Sequence, residues 1–309
     1  MKCLKGGYNI DMITIPEQLV IRPPSEAMSL LVKVVRGCSW NRCLFCGIYN
    51  LYGERYSLRS LEEVKKDIDA LLEIHGDIFE TAFLGDADPM ALDTGFLVEV
   101  IRYLREKFPS LRRVTAYGRS SSLWKKGLVE LKELHACGLD RIHVGMESGS
   151  NRILAFHKKG ASKVQHIEAG LKVKEAGMEI SFYFLTGLGG ELWWQGHVRE
   201  SADVVNAVKP QFLRIRRLWI HPASRLIPKI KSGEFVPQTP EGTVRELKDL
   251  IERLDAEGTE ILSDHANNYI HVQGRLMKDK KDMLENINAF LELPDDARKK
   301  HYNSVLSVI

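Results

Sequence analysis

The stretch Ser29-Leu30-Leu31-Val32-Lys33-Val34-Val35-Arg36-Gly37-Cys38-Ser39-Trp40-Asn41-Arg42-Cys43-Leu44-Phe45-Cys46-Gly47 joins an apolar run to three cysteines. Leu30 to Val35 has the length and β-branched content of a strand. Four residues separate Cys38 from Cys43, and two separate Cys43 from Cys46. Three thiolates at this spacing can hold a metal or a cluster, but they leave a four-ligand site one ligand short. A site with an open position is built to bind something else.

Working outward, strand-like runs alternate with helical periodicity. Leu61, Val64, Ile68, Leu71 and Leu72 recur at helical spacing behind Ser60, a plausible N-cap. Further strands are expected at 79–84, 112–117, 141–146, 179–185 and 212–220. The intervening helices are expected at about 94–107, 124–137, 163–176 and 196–208. Most of these strands stop at a glycine, and most helices at a glycine or proline. Six such alternations imply a parallel sheet covered by helices, and the repeating unit fits a partial (β/α)6 barrel of the TIM type. In such barrels the chemistry gathers at the C-terminal ends of the strands.

This divides the chain into an N-terminal cap (1–28), a core barrel (29–222) and a small C-terminal helical extension (223–309). The extension begins where Pro228, Pro237 and Pro240 interrupt the pattern. Helices are expected there at about 241–257 and 280–291, with 263–275 rich in loop residues.

The 309 residues are 44% hydrophobic and 28% charged, so a sizeable core needs no disulfide staples. The formal net charge of +3 is too small to indicate nucleic acid, and no basic stripe with interleaved aromatics adds to it. The five cysteines are odd in number and three are clustered, which fits a reducing cytoplasm better than a disulfide framework. Neither a signal peptide nor a membrane span is expected, because no sufficiently long uncharged apolar stretch occurs.

Three readings of the cysteine loop compete. A zinc-stabilised binding module wants a fourth ligand, with Cys3, Cys137, His75 and His143 as candidates. A non-catalytic iron–sulfur protein that transfers electrons also wants one. A four-iron cluster with one iron left open wants a ligand that brings its own amine and carboxylate.

The third reading coincides with a resemblance. The cysteine loop after the first strand, Phe45 before the last cysteine, Gly85-Asp86-Ala87-Asp88-Pro89 after the second strand, Gly145-Met146-Glu147-Ser148-Gly149-Ser150 after the fourth and Gly187-Leu188-Gly189-Gly190-Glu191 after the fifth resemble the radical S-adenosylmethionine (radical SAM) superfamily. Lys158-Lys159-Gly160 follows at the family's usual distance. Two features depart from the common pattern: the four-residue first cysteine spacing, and Gly85-Asp86-Ala87 where Gly-Gly-Glu is usual.

The resemblance implies an enzyme with a 4Fe-4S cluster on Cys38, Cys43 and Cys46. SAM is expected to be cleaved reductively to methionine and a 5′-deoxyadenosyl radical, which takes hydrogen from a substrate. An external electron donor of flavodoxin or ferredoxin type is implied. Phe45, Gly85, Asp86, Glu147, Ser148, Lys159 and Arg119 are the expected cofactor-binding residues, with Asp86 or Asp88 facing the SAM ammonium. Arg214 and Arg216 alternate with Leu213 and Ile215, so they would face inward, toward either an anionic substrate or a neighbouring acid. Arg216, His221 and Trp194 are the candidates for the substrate side.

Overall fold

The computed structural model describes residues 15–19, 21–222 and 224–306. The first fourteen residues, with Cys3, lie outside them. The strands are β1 (Leu30–Lys33), β2 (Val35–Arg36), β3 (Ser57–Leu58), β4 (Thr81–Gly85), β5 (Arg113–Gly118), β6 (Leu139–Glu147), β7 (Glu179–Thr186), β8 (Phe212–Arg217), β9 (Glu260–Leu262) and β10 (Gln273–Arg275). The helices are α1 (Ile48–Leu51), α2 (Leu61–His75), α3 (Thr94–Lys107), α4 (Ser120–Lys125), α5 (Leu128–Ala136), α6 (Asn151–Phe156), α7 (Lys163–Glu175), α8 (Gly190–Val208), α9 (Ile227–Lys231), α10 (Pro240–Arg253), α11 (Lys280–Leu291) and α12 (Asp295–Leu306). No helix among the described residues is long and apolar enough to cross a membrane.

One eight-stranded sheet runs in the order β1-β4-β5-β6-β7-β8-β9-β10. It is parallel from β1 to β9, and β10 returns antiparallel to β9. The six expected strands stand in the expected order. Two more, β9 and β10, come from the last third of the chain, so the extension is not only helical. The first apolar run is split. After β1, Val34 donates to the Gly85 carbonyl at 2.6 Å, and Val35–Arg36 then leaves the sheet to pair with β3. The expected helix at 124–137 breaks at Gly127, whose N–H is taken by the Glu130 carboxylate to open α5. The helix expected from 196 begins six residues earlier, at Gly190.

Alternation along the strands explains the layering. Val32, Leu84, Val114, Ile142, Phe182 and Leu213 point outward into one core with the helices. Each such fully buried side chain contributes roughly 1.5–3 kcal/mol. α2 turns Val64, Ile68 and Leu71 into that core, and a Ser60–Glu63 capping box starts it. A second, smaller cluster of Leu44, Ile153, Leu188, Leu218, Leu226 and Phe235 lies under the cysteine loop.

The inward face is of another kind. Phe83, Tyr117, His143 and Tyr183 make successive ring contacts across β4 to β7, and Arg216 on β8 lies 5.2 Å over the Tyr183 ring. His143 donates from Nε2 to Glu26 at 2.9 Å, and Ser29 donates to the same carboxylate at 2.6 Å. Burial works against the Glu26 carboxylate, yet these two hydrogen bonds bring its pKa below the ordinary value. Burial keeps His143 neutral. The barrel interior is therefore a polar, aromatic chamber.

Candidate functional site

The cysteine loop is pinned by residues distant in sequence. Leu44 donates its N–H to the His157 carbonyl at 2.9 Å, and the Ser224 hydroxyl donates to the Leu44 carbonyl at 2.8 Å. Arg225 donates to the Asn41 carbonyl. Trp40 donates from Nε1 to the Lys158 carbonyl at 2.7 Å. Gly160, at φ +70°, faces the Trp40 ring so closely that a Cβ there would come within 2.5 Å of it. The loop thus sits on the turn that follows α6.

Cys38, Cys43 and Cys46 are all partly exposed; Cys43 feels the charge of Cys38 and Cys46, and Cys46 that of Cys38. Burial pushes the Cys43 thiol up to about 11 against the pull of Lys159, and burial also raises Cys46. Asn41 donates its N–H to Cys38 Sγ at 3.4 Å. None of the fourth-ligand candidates among the described residues is at hand. Cys137 bonds the Glu133 carbonyl at the end of α5, His75 packs on Phe79, and His143 is bound to Glu26. No three His, Cys, Asp or Glu side chains among the described residues converge on a point where a single ion would be held. A zinc half-site needs that convergence, whereas a four-iron cube spreads its ligands apart.

Beside the loop, Lys159 Nζ lies 3.1 Å from Glu147 Oε1 and 5.8 Å from the Phe45 ring centroid. Burial opposes the Lys159 ammonium, yet the fields of Glu147 and Cys43 hold its pKa above the usual value. A β-irregularity between Gly145 and Glu147, with Glu147 at φ +65°, aims the carboxylate. A Cβ at Gly145 would lie 2.3 Å from Glu147 Oε1 and 3.0 Å from Lys159 Nζ, so the ion pair occupies the space a side chain would take. Phe45, Cys46, Ile48, Glu147, Leu185 and Trp219 line an adjoining pocket of about 250 Å³, with His221 at its rim. Phe45 also meets His157 edge-on at 5.7 Å.

Other expected residues are placed differently. Asp86 is fully buried and its Oδ2 lies 3.5 Å from Lys33 Nζ, which also bonds Glu54 at 3.0 Å. Asp88 accepts from the Arg119 N–H at 3.0 Å and the Ser122 hydroxyl at 2.6 Å. Both carboxylates are thus engaged by the protein rather than presented at the mouth. Gly85 is covered by the Leu19 side chain. Ser148 is buried and bonded to His197 Nδ1 at 2.8 Å. Arg119 lies 4.8 Å over the Trp40 ring and donates to the Lys159 and Gly160 carbonyls. It props the loop and leaves Lys159 as the cation beside the thiols. Trp194, a candidate for the substrate side, packs against the main core, and Trp219 lines the pocket wall.

One residue escaped sequence reasoning altogether. Tyr49 is buried beside Asp86, Cys38 and Cys46, and its hydroxyl has no hydrogen-bond partner among the described residues. Burial and these negative neighbours raise its pKa, so it is a neutral donor. Its only signal is a place three residues after the last cysteine.

Comparison with known proteins agrees with this geometry. Residues 32–201 match the family model described as the Radical SAM superfamily. An uncharacterized methyltransferase of Pyrococcus horikoshii is 29% identical over 187 residues, covering 59% of this chain and 39% of that one. A tRNA-2-methylthio-N(6)-dimethylallyladenosine synthase of Alcanivorax borkumensis is 28% identical over 197 residues, covering 60% and 41%. The chain spans about two fifths of the length of these relatives. Among solved structures, coproporphyrinogen III oxidase of Escherichia coli superposes with a TM-score of 0.54 at 17% identity, covering 72% of this chain and 51% of that one. At that identity the likeness is one of fold.

Proposed function

The chain belongs to the radical SAM superfamily, and from that premise we propose that it is an enzyme whose Cys38, Cys43 and Cys46 hold a 4Fe-4S cluster with SAM at the open iron. The observation that carries this reading is the three-thiol loop with no fourth protein ligand among the described residues, set beside the Lys159–Glu147 pair. The residues fit the group. Three sulfur donors sit on one loop, a buried ammonium is ready for a carboxylate, and the orphaned Tyr49 hydroxyl needs an acceptor. Bound there, the cluster and SAM supply a reductive cleavage to methionine and a 5′-deoxyadenosyl radical that abstracts hydrogen from the substrate.

The chain's own residues do the rest. Lys159 receives the SAM carboxylate, and Glu147 balances its charge and accepts from the ligand's amine or hydroxyls. Phe45, Ile48 and Leu185 give the pocket apolar walls that exclude water, and Trp219 and His221 flank its opening. A reductant of flavodoxin or ferredoxin type supplies the electron. The catalytic unit is the barrel at 29–222, and the strands at 260–275 complete its wall.

The test is anaerobic reconstitution with iron and sulfide, then reduction with dithionite in the presence of SAM. Chromatography is expected to show slow formation of 5′-deoxyadenosine and methionine. Cys38→Ala, Cys43→Ala and Cys46→Ala each abolish it and lower the iron content, whereas Cys137→Ser does neither. Cluster-loaded wild type that neither binds nor cleaves SAM would overturn the proposal.

A further inference from the structure

The mechanism leaves one part of the barrel interior unused. Arg214 and Arg216 occupy inward positions on β8, because their neighbours Leu213 and Ile215 are buried in the outer core. Arg214 stands in register with Tyr183 on β7 and with Leu262 on β9, and Arg216 with Leu185. Both line a cavity of about 430 Å³ together with Ser25, Leu262, Asp264 and His265. Neither guanidinium has a salt-bridge partner among the described residues. Arg214 Nε is buried with no hydrogen bond there. Arg216 rests on the Tyr183 ring, beside the Tyr183 hydroxyl, and meets no carboxylate there. Asp264, the one carboxylate in the lining, stands near His265 and pairs with neither arginine.

Two half-buried cations that share one cavity and pair with no carboxylate repel each other, and an anion that joined them would relieve this. The location gives that anion a role. Leu185, beside Arg216, also lines the pocket that contains Cys46 and Glu147. A ligand anchored on the arginines would therefore extend toward the cysteine loop.

We propose that this chamber binds the carboxylate or phosphate of a small-molecule substrate, with Arg214 and Arg216 donating to it together. The inference rests on the function proposed above and adds the substrate's chemical class to it. Planar guanidinium forks suit both oxyanions, and the cavity has room for a small molecule rather than a polymer.

The test uses the full chain, anaerobically reconstituted, titrated with inorganic phosphate and separately with succinate in a calorimeter. Saturable binding of at least one is expected, and whichever binds tells phosphate from carboxylate. Arg214→Gln and Arg216→Gln should each weaken it about tenfold or more, and Arg216→Lys should not restore it. Arg199→Gln, on the exposed face of α8, should bind like wild type. A readout independent of variants is protection from phenylglyoxal. The bound anion should slow modification of Arg214 and Arg216 in the wild type, read by peptide mass spectrometry. No saturable binding of either probe, or equal modification with and without it, overturns the inference. SAM cleavage by wild type with no probe present is a separate measurement, so the two proposals fail separately.

Discussion

Lys159 and Glu147 meet at 3.1 Å across a position where Gly145 has no side chain. The pair, the glycine and the β-irregularity form one device, because each needs the space or the turn supplied by the others. Gly145→Ala puts a methyl group where the carboxylate oxygen stands. SAM affinity by calorimetry should fall about tenfold or more, and stability should fall by about 1–3 kcal/mol. Iron content should be unchanged. Undiminished SAM binding would remove this pair from the cofactor site.

Tyr49 separates a structural role from a binding one. Its buried hydroxyl has no partner among the described residues, so Tyr49→Phe removes a desolvated polar group. The cofactor-free protein should gain about 1 kcal/mol in urea unfolding. Binding of SAM by the cluster-loaded protein should weaken. A variant that loses stability without SAM present contradicts this account.

Arg59 ties the return from the cysteine loop to α2. It donates to Asp67 at 2.7 Å and to the Lys33 carbonyl at 2.6 Å, and both side chains of the pair are almost fully buried. Asp67→Ala leaves the buried guanidinium with only Glu17, at 3.7 Å, as a carboxylate neighbour. Unfolding free energy should drop by about 3–5 kcal/mol, against under 1 for an exposed pair such as Arg102 with Glu99. Equal losses in the two variants would show that burial does not govern these bridges.

Acid stability follows from two interior histidines. Burial holds His166 and His197 at pKa values of about 3, and both are fully buried. In the unfolded chain they titrate near 6.5, so below that pH the unfolded state binds more protons. Their stabilisation is present above about 6.5 and is lost as pH falls toward about 3. Each contributes a slope approaching roughly 1.4 kcal/mol per pH unit in that window. Urea midpoints at pH 7 and pH 5 measure it, and His166→Gln should flatten the profile by one proton. A wild-type midpoint independent of pH over this range would contradict the assignment.

The six-strand order was legible because Val32, Leu84, Val114, Ile142, Phe182 and Leu213 stand in apolar runs separated by helix-spaced segments. β9 and β10 were not legible. Each has three residues, and Ile261 is the only fully buried side chain of β9. No period can show in so short a span, and the pairing of β9 with β8 is a long-range matter. The cysteine loop stood out by its spacing, but spacing alone left zinc, electron transfer and an open-iron cluster as alternatives, and only the resemblance chose among them. Asp86 and Ser148 could not be placed, because Lys33 and His197 decide where those side chains turn. Trp194 was misread for a related reason. α8 begins at Gly190, which places the tryptophan in its first turns and against the core.

The anchoring of Leu44 and Asn41 by Ser224 and Arg225 sets a timetable. The cysteines leave the ribosome early, but the hydroxyl and guanidinium that hold their loop are translated about 180 residues later. Until then the thiols belong to an unanchored segment, and the loop reaches its final shape only when the barrel wall behind it has been made. The loop is therefore seated only once residues 224 and 225 have been made, and a chain truncated before Ser224 lacks the contacts that hold its cysteines.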